Sequence, residues 1–165
     1  MAEAFTVKYK AREGHDLKLE HDGDAGYDLR AARDIVIPFN TTAIIETTVE
    51  LRLPDGLYAT VNSRSGLAGT SDIFVLNAPG IIDTGYEGVI KVILRNLGTH
   101  DFTVKEGDRV AQIVFHERVK VDLERVESFA APAEDASPDE AKAEPDEAAP
   151  AKRTRGRNGI GSTGR

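Results

Sequence analysis

The segment GIIDTGYEG, residues 80–88, holds a carboxylate and an aromatic ring three residues apart. Apolar residues stand on both sides of a tight glycine turn, a pattern that predicts a β-hairpin with Asp83 and Tyr86 at its tip. An acid held in one orientation can serve as a general base for a water molecule. The ring beside it offers a flat face to a sugar or a base. Taken alone, the segment fits an ordinary acidic turn better, so the rest of the chain must decide.

Two further segments carry groups that bind phosphate. Residues 62–69, NSRSGLAG, follow an apolar run and combine a guanidinium, hydroxyls and backbone N–H groups. Residues 155–165, RGRNGIGSTGR, combine arginines and hydroxyls with glycines, which let successive N–H groups converge on an anion. The first segment is also typical of a normal turn and the second of a basic terminus. For the second we favour phosphate binding.

Two polar residues occupy less decisive places. Asp28 follows a glycine turn in AGYDL, where it serves either in a metal shell or as a capping residue. Gln112 is the one polar residue between Val110 and Phe115, and a buried glutamine needs hydrogen-bond partners. A structural backbone group or a ligand oxygen could satisfy it, and the residues alone favour the backbone group.

The elements that must position these groups are short strands. Residues 49–53 and 119–124 alternate between apolar and polar side chains, which predicts strands. Turn residues separate further apolar runs, namely FTVKY, DIVIP, LYATV, DIFVL, GVIKVIL and RVAQIVF. Such spacing indicates an all-β sandwich or jelly roll over residues 1–129. We expect no helix longer than a turn or two, with residues 64–70 as the candidate.

The composition bounds the class of protein. A chain of 165 residues forms one domain with a real core, and the absence of cysteine excludes disulfides and thiolate metal sites. The polar N-terminus does not resemble a signal peptide, and no apolar run approaches the roughly 20 residues of a membrane helix. A net charge of −7 argues against a general nucleic-acid binder. We therefore expect a soluble, cytoplasmic protein with no membrane or nucleic-acid partner.

The C-terminal part of the chain changes character twice. Residues 130–152 are built almost wholly from Ala, Pro, Glu, Asp and Lys, with seven acids and two lysines. Such a composition cannot bury enough apolar surface to fold, so we predict a disordered acidic linker. Residues 153–165 carry four arginines and no acid. A charged tether of this length would let the basic tail reach an anionic partner well away from the core.

Five segments, in this order and spacing, resemble the motifs of the homotrimeric dUTPase family: AGYDLRAA, SRSGLAG, NAPGIIDTGYEG, GDRVAQIVF and RGRNGIGSTG. Each motif is weak singly, but the five in sequence are highly specific. The resemblance covers most of residues 20–129 and the tail. It implies a jelly roll of the β-clip type and a homotrimer whose active sites are shared between chains. It also implies that the C-terminal tail closes over the nucleotide.

The resemblance assigns roles to the GIIDTGYEG segment and its flanks. Asp83 matches the acid that activates the water attacking the α-phosphorus of dUTP. Tyr86 matches the ring that packs under the deoxyribose and leaves no room for a 2′-hydroxyl. The stretch from residue 77 to about residue 91 matches the uracil pocket, in which the Asn77 side chain imitates a pairing partner. The residues matched to this pocket are Asn77, Ile81, Ile82 and Lys91.

The resemblance also assigns phosphate and metal groups. The phosphate-binding loop is matched by Arg64, Ser65 and Gly66, with Gln112 near it. Asp28 matches the acid that holds a Mg²⁺ ion through water. The tail groups that clamp the β- and γ-phosphates are matched by Arg155, Ser162 and Thr163. The implied reaction is the hydrolysis of dUTP to dUMP and pyrophosphate.

Two departures from the family pattern bear on function. Ile160 stands where many members carry an aromatic residue or histidine that stacks on uracil, and isoleucine covers the base without stacking. We expect weaker ordering of the tail, and Ile160→Phe should improve turnover or affinity. Ser63 replaces a common proline, which should loosen the approach to Arg64.

Two alternatives compete with the dUTPase interpretation. The related deoxycytidine triphosphate deaminases carry a catalytic glutamate where this chain has Ile93, which cannot transfer protons. Deamination is therefore disfavoured. The other alternative is a regulatory protein that uses a dUTPase body to bind partners, for instance through its linker. The intact Asp83, Arg64 and Tyr86 favour retained catalysis.

Overall fold

The computed structural model describes residues 4–128 of the chain. Within that range it contains one helix, α1 (Ser65–Ser71), and ten strands. The strands are β1 (Lys8–Lys10), β2 (Tyr27–Arg30), β3 (Ile35–Ile37), β4 (Thr42–Arg52), β5 (Leu57–Asn62), β6 (Ile73–Val75), β7 (Gly80–Ile82), β8 (Val89–Asn96), β9 (Phe102–Val104) and β10 (Arg109–Glu117). Among these residues, no helix has the length and apolar character that a membrane crossing demands.

Two four-stranded antiparallel sheets form the body of the fold. One has the strand order β1-β4-β8-β6 and the other β2-β10-β5-β7, while β3 and β9 pair separately. Alternate residues of the long strands are buried, as in β4, where Ile45, Val49 and Leu51 are at most 2% exposed. Side chains of both sheets belong to one apolar cluster. The all-β jelly roll expected from the sequence is therefore confirmed, and so is a single short helix near residues 64–70.

The alternation over residues 119–124 was a misleading signal. The chain there forms no strand, and Val119 and Val121 are 79% and 65% exposed. Alternation makes a segment suitable for a sheet, but a strand also needs a neighbour that receives its hydrogen bonds. The strand prediction for this segment is wrong. The predicted linker at 130–152 and tail at 153–165 lie outside the described residues.

The predicted hairpin around Asp83 is also wrong in its pairing. β7 pairs with β5, whereas β8 pairs with β4 and β6 in the other sheet. The tight turn itself is present, because the Tyr86 N–H donates to the Asp83 carbonyl at 3.1 Å and Gly85 has a φ of +89°. Gly88, with a φ of +113°, then directs the chain into the second sheet. Each apolar arm thus finds its partner in a different sheet.

Candidate active site

Arg64 lies where β5 gives way to α1, and two ties fix the residue that precedes it. The Ser63 hydroxyl accepts a hydrogen bond from the Val75 N–H at 2.9 Å, and the Ser63 carbonyl accepts one from Gln112 Nε2 at 2.9 Å. The approach to Arg64 is therefore held from β6 and from β10. This differs from the expected loosening, because serine supplies a hydrogen-bond acceptor that proline lacks.

The Arg64 side chain turns back onto β2 and β10. Its Nε lies 2.9 Å from Oδ1 of Asp28, and its Nη1 donates to the Arg109 carbonyl at 3.1 Å. The side chains of Asp28 and Arg64 are only 15% and 24% exposed. A half-buried pair with two anchors is strongly oriented, so the remaining edge of the guanidinium is presented in a fixed direction.

Gln112 has the structural partner that the residues alone favoured. Its Nε2 donates to the Ser63 carbonyl, and its side chain lies against Gly26 so closely that a Cβ there would overlap Oε1. The register of β10 sets Gln112 opposite both Asp28 of β2 and Asn62 of β5. Gln112 therefore holds the loop that carries Arg64.

These groups surround one open cleft of about 600 Å³. Its lining includes all five residues predicted for the phosphate and metal side of the site, which we call the phosphate cluster: Asp28, Arg64, Ser65, Gly66 and Gln112. Ser65 and Gly66 are exposed at the start of α1, where their backbone can approach a ligand. The cleft combines a guanidinium, a hydroxyl and polar amides, which is chemistry suited to a phosphate group.

The charged residues of the cleft that the sequence analysis missed include Arg109, Glu20 and Asp24. Arg109 Nη1 lies 3.2 Å from Oδ2 of Asp28 and 2.8 Å from Oε1 of Glu20. Arg109 belongs to the GDRVAQIVF segment, so its position in that motif was the available signal. Nothing in the sequence around Glu20 indicates its role, since it depends on how the loop before β2 folds.

The second group of predicted residues gathers around the turn of residues 83–86, which we call the acid turn. Asp83 is exposed at its first position. The Thr84 hydroxyl donates to the Leu57 carbonyl at 2.6 Å, which fastens the turn to the start of β5. The Tyr86 hydroxyl donates to the Val89 carbonyl at 3.0 Å, so the ring is fixed at both ends. The acid turn therefore carries a carboxylate at its first position and a ring of fixed orientation at its fourth.

The predicted uracil-pocket residues have different environments. Ile81 is 54% exposed, whereas Ile82 is 8% exposed and its side chain belongs to the apolar core. The exposed Asn77 folds its amide over Gly80, where a Cβ would lie 3.0 Å from Nδ2. Lys91 extends to Glu46 of β4, with Nζ 3.7 Å from Oε1. Ile81 and Asn77 are thus available to a ligand through their side chains.

The phosphate cluster and the acid turn lie at opposite ends of β5. The register pairs Ala59 with Ile82 and Val61 with Gly80, so Asp83 lies beside the start of β5, whereas Arg64 follows its end. Asp28 and Gln112 of the phosphate cluster are level with Asn62, and four residues of strand, about 13 Å, separate that level from the level of Asp83. Within one chain, Asp83 and the phosphate cluster therefore lie at different levels of the sheet.

Comparison with known proteins identifies the family. The dUTPase family model matches residues 12–138. The deoxyuridine 5′-triphosphate nucleotidohydrolase of a Mycobacterium species (strain JLS) is 38% identical over 145 residues, which are 87% of this chain and 84% of that protein. The enzyme of the same name from Clostridium tetani is 36% identical over 164 residues, or 98% of both chains.

A solved structure agrees with the fold. The dUTPase of the Staphylococcus aureus phage phi11, in a mutant form, superposes with a TM-score of 0.69 at 24% identity, over 76% of this chain and 99% of that one. The similarity of fold agrees with the family model and with the two relatives, which are both more than 35% identical to this chain. The chain belongs to the dUTPase family.

Proposed function

We propose that this protein hydrolyses dUTP to dUMP and pyrophosphate, which would keep uracil out of DNA and supply dUMP for thymidylate synthesis. The observation that carries the proposal is the oriented Arg64 at the mouth of a polar cleft, in a chain of the dUTPase family. Its relatives from Mycobacterium and Clostridium tetani bear the name of this activity.

In this mechanism Asp83 orients and deprotonates the water that attacks the α-phosphorus. An exposed carboxylate on a turn that is fastened to β5 suits this task, because the water must approach in line with the scissile bond. Arg64 neutralises phosphate charge as pyrophosphate leaves. Positioning and electrostatics together supply most of the rate, as in phosphoryl transfer generally.

Substrate selection falls to the residues near the acid turn. The anchored ring of Tyr86 packs under the deoxyribose and excludes a 2′-hydroxyl. The Asn77 amide and the main chain from residue 80 to 82 bind the uracil edge, and Ile81 covers the pocket. Ile82 contributes through its backbone because its side chain is in the core. Lys91 closes the far end of the stretch.

The substrate complex includes Mg²⁺, which would supply charge neutralisation on the triphosphate. Among residues 4–128, no group of three or more His, Asp or Glu side chains is arranged to hold a metal ion. This fits an ion that keeps several waters and binds mainly through substrate phosphates. Each oxygen of Asp28 retains a lone pair beside its arginine partner, so Asp28 can accept a hydrogen bond from a metal-bound water. A phage phi11 dUTPase coordinates a structural Mg(II) ion.

A complete site requires more than one copy of the chain. Because about 13 Å of β5 separates the level of Asp83 from that of Asp28 and Gln112, we infer that the Asp83 of one chain meets the Arg64 of another. We propose a homotrimer in which each of three sites combines the two parts from neighbouring chains. A closed ring is the arrangement that satisfies every copy with one kind of interface.

The C-terminal tail completes the proposed site. Arg155, Ser162 and Thr163 would clamp the β- and γ-phosphates, and Ile160 would cover the uracil. These residues lie outside the described part of the chain, and the acidic linker before them would supply the reach. The protein would act in the cytoplasm, where dUTP is formed.

The experiment that tests this function is pyrophosphate release with Mg²⁺ from dUTP, dCTP, dTTP and UTP. We expect release from dUTP alone, and we expect Asp83→Asn to abolish it while nucleotide binding persists. Release from dCTP or UTP at a similar rate would contradict the proposed pocket. No release from any nucleotide would overturn the hydrolase and favour a regulatory protein that binds partners through a dUTPase body.

A further inference from the structure

The carboxylate of Asp28 lies between two guanidinium groups. Its Oδ1 is 2.9 Å from Arg64 Nε, and its Oδ2 is 3.2 Å from Arg109 Nη1. The Asp28 side chain is 15% exposed, so both contacts are made where water screens them weakly. A carboxylate held at both oxygens cannot rotate away from either arginine, and its orientation depends on both.

Arg109 also contacts Arg64 directly through its backbone. The Arg109 carbonyl accepts a hydrogen bond from Arg64 Nη1 at 3.1 Å. Arg64 is thus attached at Nε to Asp28 and at Nη1 to the main chain of residue 109, which leaves its Nη2 edge for an anion. The direction of that edge is set by the Arg109 carbonyl and by the Asp28 carboxylate, which Arg109 contacts in turn.

A β-bulge brings Arg109 to this face of the sheet. β10 pairs Arg109 with Arg30 but Ala111 with Leu29, so one extra residue stands in β10 at this point. Val110 and Ala111 are both buried in succession, at 2% and 0% exposure. Regular alternation would have put Arg109 on the buried face with Ala111. The bulge turns Arg109 out towards Asp28 instead.

Charge balance gives Arg109 a second effect. Its Nη1 is also 2.8 Å from Oε1 of Glu20, so the four groups Glu20, Asp28, Arg64 and Arg109 sum to zero. Asp24 also lines the cleft, so without the Arg109 charge three carboxylates would remain beside one guanidinium in the cleft that receives phosphate. The resulting negative field would oppose a triphosphate.

We propose that Arg109 is a positioning residue of the phosphate site, which orients Arg64 through Asp28 and offsets part of the carboxylate charge there. The inference rests on the proposed function for the identity of the substrate. The ligand of the phosphate site would be a di- or triphosphate. Arg109 makes both of its ion pairs, with Asp28 and Glu20, through Nη1, so these contacts of Arg109 act on other protein groups.

The test is the affinity for inorganic pyrophosphate in the presence of Mg²⁺, measured by calorimetry on the full chain. We expect Arg109→Gln to weaken pyrophosphate binding about tenfold while the binding of deoxyuridine, which carries no phosphate, is unchanged. The matched control is Arg30→Gln, which removes the same charge from the paired residue of β2. Arg30 donates to the Gly107 carbonyl and, among residues 4–128, forms no hydrogen bond or ion pair with Asp28 or Arg64, so pyrophosphate binding should persist.

Coupling to Asp28 distinguishes positioning from general damage. In an Asp28→Asn background, Arg109→Gln should weaken pyrophosphate binding by a smaller factor than in the wild type, because the residue through which Arg109 orients Arg64 is already lost and only its charge effect beside Glu20 remains. Arg109→Lys keeps the charge but not the fork, and it should recover part of the affinity. This variant serves equally if Arg109→Gln does not fold. Wild-type affinity in Arg109→Gln, or equal losses for pyrophosphate and deoxyuridine, would overturn the inference.

The result does not depend on hydrolysis. If the wild-type protein binds pyrophosphate but releases none from dUTP, the proposed function fails. The role of Arg109 would still be decided by the affinities of the variants.

Discussion

The side chain of Gln112 in β10 packs against Gly26, the residue just before β2, and it could not lie there if residue 26 had a side chain. A methyl group on Gly26 would overlap Oε1 of Gln112. The same glutamine donates through Nε2 to the Ser63 carbonyl at 2.9 Å, immediately before Arg64. The glycine therefore makes room for a side chain that holds the loop of Arg64, so the residue just before β2 affects a loop at the end of β5.

Gly26→Ala should weaken the site without touching a ligand group. The added methyl displaces Gln112, which breaks its bond to Ser63, so we expect a loss of about 1–3 kcal/mol in the free energy of unfolding. KM for dUTP should rise because the loop of Arg64 loses an anchor. Gly69→Ala is the control, since a Cβ there meets open space and α1 should gain slightly from alanine. Equal stabilities for the two variants in a thermal melt would contradict this account.

Complementation between inactive variants tests whether the site is shared. Arg64→Ala and Asp83→Asn should each abolish pyrophosphate release. The two variants are unfolded together in equal amounts and refolded. A site is then complete only if the Arg64→Ala chain supplies its Asp83 and the Asp83→Asn chain supplies its Arg64. Random assembly in a closed ring then restores about a quarter of the wild-type activity.

The two variants refolded separately and then combined provide the control, and they should stay inactive unless the chains exchange. Absence of recovery in the mixed sample, with assembly confirmed by size, would show that one chain supplies both residues. It would contradict the interpretation of the β5 register.

Local patterns predicted the fold class better than they predicted which strands pair. The turn at Asp83 was evident from its glycine, but the separation of β7 and β8 into two sheets depends on which strands become neighbours. Arg109 escaped detection for a related reason. A bulge reverses the face on which it stands, and alternation in the sequence contains no sign of the extra residue. Val119 and Val121 show the opposite case, because the sequence there alternates like a strand but the segment pairs with no other strand in the described part of the chain and both side chains are exposed.

Tyr86→Phe should relax the choice of sugar. The phenol hydroxyl holds the ring through the Val89 carbonyl at 3.0 Å, and phenylalanine keeps the ring but loses this anchor. We expect the ratio of kcat/KM for dUTP over UTP to fall several-fold, which corresponds to about 1 kcal/mol. Tyr9→Phe is a matched control. Tyr9 lies on the exposed strand β1, and its hydroxyl makes only a long hydrogen bond of 3.4 Å to Asp16. An unchanged ratio in Tyr86→Phe would show that the hydroxyl does not set the ring's position.

Asp34 and Lys105 form an ion pair beside the β3–β9 ribbon, with Nζ 2.8 Å from Oδ2, and Asp34 Oδ1 accepts from the Glu106 N–H. The hydrogen bond from Lys105, followed by that from Glu106, lowers the pKa of Asp34. The bond to Asp34 in turn raises the pKa of Lys105. Both side chains are more than half exposed, so salt screens the pair.

The signs of these shifts define a pH window for the stability that the pair contributes. For Asp34 the contribution is present above its ordinary pKa of about 3.9 and is lost as the pH falls through the lowered folded value. For Lys105 it is present below about 10.4 and is lost as the pH rises through the raised folded value. Asp34→Asn keeps an acceptor for Glu106 but removes the charge, so it should lower Tm between about pH 5 and 9 and match the wild type near pH 2. The gap at neutral pH should shrink in 1 M salt, at a Debye length of about 3 Å. A gap in Tm that is the same at pH 2 and pH 7 would assign the effect to packing rather than to charge.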